Sequence, residues 1–199
     1  MFVAVDPPLD VREQLAAWAR ASLRGLGARA GAPASSRVLD PELLHITLCF
    51  LGSRPLVELE AIGEALASCT EAVGALSLGA PLWLPARRPR SLAVEVHDDE
   101  DGGLRALQHR LVGALERACG FREERRRFRP HVTVARIRDH PERRARATSA
   151  RRGAGEEPAG KPTLPPTPAL SFVAAELVLY RSWLSPDGAS YEALVTQAL

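Results

Sequence analysis

A chain of 199 residues, 46% hydrophobic and 25% charged, has the size and composition of one globular unit and not of a disordered segment. Its formal net charge of +2 is too small to mark the whole surface as polyanion-binding, and the lack of any run of about 18 apolar residues argues against a membrane span. Cys49, Cys69 and Cys119 are odd in number and far apart, so we predict free thiols in the cytoplasm and neither a disulfide framework nor a zinc site.

The first half of the chain alternates predicted strands and helices. A short strand over Phe2–Val5 ends at two prolines, and a helix follows in which Asp10 and Glu13 form a capping box. The apolar run His45–Gly52 predicts a second strand closed by its glycine, and Pro55 then opens a second helix.

The second half predicts two strands, a third helix, another strand and a closing antiparallel pair. These elements are Leu76–Leu84, Ser91–His97, Gly102–Cys119, His131–Ile137, and Phe172–Tyr180 with Tyr191–Val195. The order predicts an α+β fold in which helices cover mainly antiparallel sheets.

A four-residue pattern, His-x-Thr-x, occurs twice in this order, at His45 and at His131, each time on a predicted strand that follows a helix. Two lobes related by a pseudo-two-fold axis explain the repetition. Side chains alternate along a strand, so His45 and Thr47 share one face, as do His131 and Thr133.

Two imidazoles and two hydroxyls on one cleft suit phosphoryl chemistry. Near neutral pH one imidazole can deprotonate the nucleophile while the other protonates the leaving oxygen, and the hydroxyls can donate hydrogen bonds to the phosphate. Such a site uses no metal ion or other cofactor, and we predict none.

With these motifs in place, the chain resembles the two-histidine (2H) phosphoesterases, and in detail their RNA 2',3'-cyclic phosphodiesterase branch, also called 2'-5' RNA ligase-like proteins. The resemblance rests on four segments that together span nearly the whole chain: Phe2–Asp6, Leu44–Gly52, Phe128–Arg136 and Glu176–Ser182. It implies a bilobal fold of two pseudo-symmetric antiparallel-sheet lobes, with helices outside and a central cleft.

The resemblance also implies hydrolysis of an RNA 2',3'-cyclic phosphate to a 2'-phosphomonoester. His45 is then the proton donor to the leaving 3'-oxygen and His131 the proton acceptor that activates water. Thr47 and Thr133 bind the phosphate, and Arg136 adds positive charge there.

Three further features are candidate contacts to RNA: Arg136, the aromatic residues Phe128 and Trp83, and an arginine-rich stretch. Arg136 lies five residues after His131, so simple alternation puts it on the opposite face, and only a bulge or the strand's end can turn it inward. Phe128 is a candidate for stacking on an RNA base, as is Trp83, although both residues also fit a core position. The arginine-rich stretch Arg122–Arg129 is a candidate contact for an RNA backbone.

We predict one domain over residues 1–199, interrupted by a long surface loop rich in arginine and proline over residues 138–168. The expected partner is RNA with a 2',3'-cyclic phosphate end, tRNA fragments among them. We expect a monomer that does not bind membranes.

Three alternatives to this hydrolysis stay open in the sequence. The same groups, with the acid and base roles reversed, could join RNA ends reversibly by a 2'-5' linkage, or they could act on another cyclic nucleotide. The cleft could also belong to a non-catalytic module that binds RNA ends.

Overall fold

The computed structural model describes residues 1–26, 35–70, 72–87, 89–123, 127–138, 163–185 and 188–199. Within these ranges three helices and nine strands follow each other in the order β1 Phe2–Val5, α1 Leu9–Leu26, β2 Ser35–Val38, β3 Ile46–Phe50, α2 Leu59–Ala67, β4 Leu76–Leu84, β5 Ser91–His97, α3 Gly103–Cys119, β6 His131–Arg138, β7 Ser171–Phe172, β8 Glu176–Ser185 and β9 Gly188–Ala198. Short 3-10 turns at Pro41–Leu43 and Leu56–Glu58 precede β3 and α2.

The strands form one antiparallel sheet in the order β7-β4-β5-β6-β3-β1-β8-β9, with β2 paired to the free part of β6. The order divides into two halves of four strands that meet where β6 lies beside β3. Each half has the same path: β1-α1-β3 in the first half corresponds to β5-α3-β6 in the second. The predicted α+β class and the pseudo-two-fold arrangement of the two motif strands are therefore confirmed.

The hydrophobic core lies between one face of this sheet and the helices. α3 buries the stripe Leu104, Leu107, Leu111 and Leu115 against it, spaced as one helical face requires. The sheet contributes alternate residues of the motif strands, Ile46 from β3 and Val132 from β6 among them. Full burial of each such side chain stabilises the fold by roughly 1.5–3 kcal/mol. Packing on this face therefore fixes the position of the motif strands.

The closing segment departs from the prediction. The single strand expected over Phe172–Tyr180 is two strands at different places in the sheet: β7 pairs with β4 in the second half, and β8 pairs with β1 in the first. The chain crosses between the halves over residues 173–175, where Val173 is exposed and Ala174 is buried. The antiparallel pairing of β8 with β9 is as predicted, with both strands longer than expected.

The predicted loop over residues 138–168 begins one residue too early, and only its last part, from residue 163, lies within the described residues. Arg138 is the last residue of β6, and residues 139–162 lie outside the described residues. The remainder is held on the fold: Trp18 Nε1 donates to the carbonyl of Pro166 (2.8 Å), and Thr167 Oγ1 donates to the carbonyl of Gly79 (2.6 Å).

The three cysteines are free, with Cys49 and Cys69 buried and Cys119 partly so, as the sequence predicts. In the described parts of the chain, none of the helices combines the length and the apolar character needed to cross a membrane.

Candidate active site

The two motif strands touch at one antiparallel pair, Ile46 opposite Val132, and both side chains are fully buried in the core. Side chains on either side of this pair point the other way, because alternation reverses the face at each residue. The register therefore puts Thr133 opposite His45, and His131 opposite Thr47. We call the face that carries these four side chains the site face.

The four side chains are thus neighbours on one face around the Ile46–Val132 pair. They form a two-by-two array with the imidazoles on one diagonal and the threonines on the other. The structure brings together the two His-x-Thr pairs that the sequence singled out. All four side chains are partly exposed, so a ligand can reach them.

Equivalent hydrogen bonds orient the two imidazoles. His45 Nδ1 donates to the carbonyl of Leu43 at 2.8 Å, and His131 Nδ1 donates to the carbonyl of Arg129 at 2.7 Å. A carbonyl only accepts, so each Nδ1 carries a hydrogen, and each Nε2 is left to exchange a proton with a ligand. The partner lies two residues earlier in both cases, as the pseudo-two-fold arrangement requires.

The surroundings of His45 are aromatic. Phe2 stacks on its ring with centroids 4.7 Å apart, Tyr191 meets it edge-on at 5.2 Å, and Tyr180 lies at 6.2 Å. Burial lowers the pKa of His45 to about 4, which the hydrogen bond to Leu43 opposes and the charges of Arg136 and His131 reinforce. His45 is therefore neutral in the free protein near pH 7.

A polar chain behind this aromatic group fixes Tyr180. Its hydroxyl donates to Asp6 Oδ2 at 2.6 Å, and Arg12 lies 3.9 Å from the same oxygen. Burial raises the pKa of Asp6, against the opposing effects of the Tyr180 hydrogen bond and the Arg12 charge. The ring of Tyr180 is thereby held beside His45 by a contact that does not involve the imidazole.

The surroundings of His131 are polar. Glu95 lies opposite it in the β5–β6 register, and Arg129 forms an ion pair with that carboxylate at 3.0 Å. The two imidazoles therefore share one geometry and differ in environment.

A β-bulge follows the threonine in each motif strand. The register skips Leu48 between β3 and β1, and it skips Val134 between β6 and β5. Val134 and Ala135 are consecutive buried residues, so Arg136 returns to the site face. Its positive charge contributes to the lowered pKa of His45. Of the two possibilities that the sequence left for turning Arg136 inward, a bulge or the strand's end, the structure shows a bulge. Phe50 is the residue of β3 that corresponds to Arg136, because it lies five residues after His45, and its side chain is 62% exposed.

The aromatic candidates from the sequence lie differently. Phe128 and Trp83 are partly buried and pack against the hydrophobic core. The predicted role of Phe128 in base stacking remains a prediction. Residues 124–126 of the arginine-rich stretch are outside the described part of the chain.

Sequence reasoning missed Arg37. It lies on β2, directly opposite Arg136 in the β2–β6 pair. Strand β2 is four residues long, SSRV, and has too little hydrophobic alternation to be recognised. Among the described residues, no three His, Cys, Asp or Glu side chains are grouped so that they could hold a metal ion.

The fold and the paired His-x-Thr strands define the 2H phosphoesterase class. The sequence pattern of the 2'-5' RNA ligase superfamily matches residues 7–181, and the chain belongs to that superfamily.

Two curated relatives are archaeal proteins named RNA 2',3'-cyclic phosphodiesterase. The one from Archaeoglobus fulgidus is 33% identical over 144 residues, which are 71% of this chain and 75% of the relative. The one from Aeropyrum pernix is 34% identical over 119 residues, 59% of this chain and 65% of the relative.

Solved structures of similar fold cover the full length of the chain. The protein TT0787 of Thermus thermophilus is 26% identical, with a TM-score of 0.68 over 100% of this chain and 96% of its own. LigT of E. coli, solved with 3'-AMP, has a TM-score of 0.70 at 24% identity and the same coverage, and supports the fold.

The lowered pKa of His45 predicts a pH-dependent stability. The unfolded chain binds a proton at this residue below pH 6.5, whereas the folded protein binds it only near pH 4. The contribution of neutral His45 to the unfolding free energy is therefore fully present above pH 6.5 and is lost as the pH falls toward 4. Between pH 7.5 and 5.0 this linkage removes about 2 kcal/mol of unfolding free energy. Urea unfolding at both pH values should show this loss in the wild type and not in His45→Gln.

His109, an exposed histidine on α3, provides the matched control. His109→Gln should keep the wild-type pH dependence. An equal loss of stability in the wild type and in His45→Gln contradicts a neutral His45 in the folded protein at pH 5.0.

Proposed function

We propose that the protein is an RNA 2',3'-cyclic phosphodiesterase that opens the cyclic phosphate to a terminal 2'-phosphomonoester. The observation that carries the proposal is the array on the site face: two imidazoles on one diagonal, each with Nδ1 bound to a carbonyl and Nε2 available. The names of the two archaeal relatives support the choice of RNA 2',3'-cyclic phosphate as the substrate.

In the proposed reaction the cyclic phosphate lies over the Ile46–Val132 pair, between the imidazoles. His131 Nε2 takes a proton from water as the water oxygen attacks phosphorus. The bond from phosphorus to the 3'-oxygen breaks, and His45 Nε2 donates its proton to that oxygen. Each proton transfer contributes about 10²–10⁴-fold. Thr47 and Thr133 donate hydrogen bonds to the non-bridging oxygens.

His45 must be protonated to act as the donor, although the free protein holds it neutral. The anionic substrate placed beside the ring favours the charged form and raises the pKa of His45. We therefore infer that His45 takes up its proton as the substrate binds. The aromatic surroundings that disfavour the protonated ring then promote proton transfer to the leaving oxygen.

Substrates that differ in the leaving group should distinguish the roles of the two imidazoles. We expect His45→Ala and His131→Ala each to lower kcat on a cyclic-phosphate-ended oligonucleotide by about 10²–10⁴-fold. A substrate with sulfur in place of the bridging 3'-oxygen needs no proton donor, because a thiolate is a good leaving group. Single-turnover rates on this substrate should recover for His45→Ala and stay low for His131→Ala.

Circular dichroism spectra of both variants should match that of the wild type, since both side chains are partly exposed. Recovery of His131→Ala instead of His45→Ala would reverse the donor and acceptor roles. Binding of the oligonucleotide by the wild type without any turnover would favour a non-catalytic module.

We expect metal removal to leave the activity unchanged, because each chemical role has a protein side chain in the proposed reaction. The measurement is kcat/KM before and after dialysis against EDTA. Loss of activity on dialysis, with recovery on addition of a divalent cation, contradicts a mechanism carried by the two histidines alone.

We further propose that tRNA fragments are among the substrates, and that the protein acts as a single-domain monomer in the cytoplasm. The three free thiols fit a reducing compartment. Light scattering after size-exclusion chromatography tests the oligomeric state, and hydrolysis of cyclic-phosphate-ended tRNA halves tests the substrate.

A further inference from the structure

Two arginines face each other on the site face beyond the catalytic array. In the β2–β6 pair Arg37 lies directly opposite Arg136, and the next pair, Val38 and Ala135, turns toward the core. Opposite residues in an antiparallel pair project from the same face, and like charges there are destabilising. The arrangement therefore puts two residues of like charge directly opposite each other, which disfavours the β2–β6 pairing.

No carboxylate offsets this charge in the described residues. Other arginines there have such partners: Arg12 lies beside Asp6, Arg54 beside Glu58, and Arg129 beside Glu95. Neither Arg37 nor Arg136 has an ion pair or hydrogen bond within the described ranges. Two guanidinium groups without counter-charges are suited to bind an anion, and phosphate oxygens match their fork geometry.

Arg37 is also held in place by its surroundings. Its guanidinium lies against Gly188 at the start of β9, where an added Cβ would come within 2.6 Å of Nη1. Gly188 has a φ of 135°, in the region that favours glycine, so this position leaves room for the arginine. The contact links β2 to the β8–β9 hairpin and fixes the direction of the side chain.

The position of Arg37 relative to the reacting phosphate follows from the register. β3 and β2 lie along the same edge of β6, one after the other: Ile46 of β3 is opposite Val132, and Arg37 of β2 is opposite Arg136. Four residues of β6 separate these pairs, roughly 13 Å along an extended strand. Of the two arginines, Arg136 is the one whose charge lowers the pKa of His45, whereas the guanidinium of Arg37 lies against Gly188.

We infer that Arg37 is a specificity-determining residue that binds the phosphodiester on the 5' side of the terminal nucleotide. Arg136 faces the reacting phosphate, and Arg37 takes the next phosphate along the RNA. The inference rests on the proposed function, and it makes the enzyme favour an RNA chain over a mononucleoside cyclic phosphate.

The experiment compares two substrates, adenosine 2',3'-cyclic phosphate, which has no 5' phosphate, and the dinucleotide ApA with a 2',3'-cyclic phosphate end. The wild type should have the higher kcat/KM on the dinucleotide. Arg37→Ala should lower that value about tenfold, the size of one charge-assisted hydrogen bond to phosphate. On the mononucleoside its kcat/KM should change less than about twofold, so the preference disappears.

A salt series and a control variant distinguish phosphate binding by Arg37 from a general loss of positive charge. The salt dependence of log kcat/KM on the dinucleotide should become shallower by about one unit of slope in Arg37→Ala. Arg20→Ala removes the same charge from an exposed position on α1 and should match the wild type in both readouts.

An equal loss on both substrates overturns the inference, because Arg37 then acts at the reacting phosphate or on the fold. No loss on either substrate, or no wild-type preference, also overturns it. If the wild type hydrolyses neither substrate, the proposed function fails, and calorimetric binding of adenosine 2'-phosphate and ApA 2'-phosphate then decides the role of Arg37. Weaker binding of the dinucleotide alone in Arg37→Ala supports it, and any other pattern overturns it.

Discussion

The antiparallel pair between Ile46 and Val132 is the contact on which the rest of the site depends. It is where β3 meets β6 in the described structure, and both side chains are sealed in the core. Fixing these two residues fixes the side chains before and after them on the opposite face. The core thus sets the relative positions of two imidazoles that lie far apart in the chain.

The two halves of the sheet have the same backbone path, but different side chains surround the two histidines. Both give a histidine bound to a carbonyl two residues earlier, and both have a bulge after the threonine. One half surrounds its histidine with Phe2, Tyr180 and Tyr191, whereas the other leaves its histidine beside an ion pair. A symmetric scaffold thereby places two equally oriented imidazoles in different surroundings, one aromatic and one polar.

Features governed by local pattern could be predicted from the sequence. Strand alternation correctly paired His45 with Thr47 and His131 with Thr133, and the leucine spacing of α3 predicted its buried face. Long-range pairing could not be predicted. Arg37 matters because β2 pairs with β6, and Phe172 joins the opposite end of the sheet from Tyr180 although both fall in one apolar run. The bulge at Val134 is one of the two possibilities that the sequence left for turning Arg136 inward, but no local residue signals it.

A crystal structure of the protein with adenosine 2'-phosphate tests whether both imidazoles act on one phosphate. We expect oxygens of the bound phosphate to lie within about 3 Å of Nε2 of both His45 and His131. A phosphate that contacts one imidazole alone, or that binds on another face of the sheet, would show that the two imidazoles do not act together.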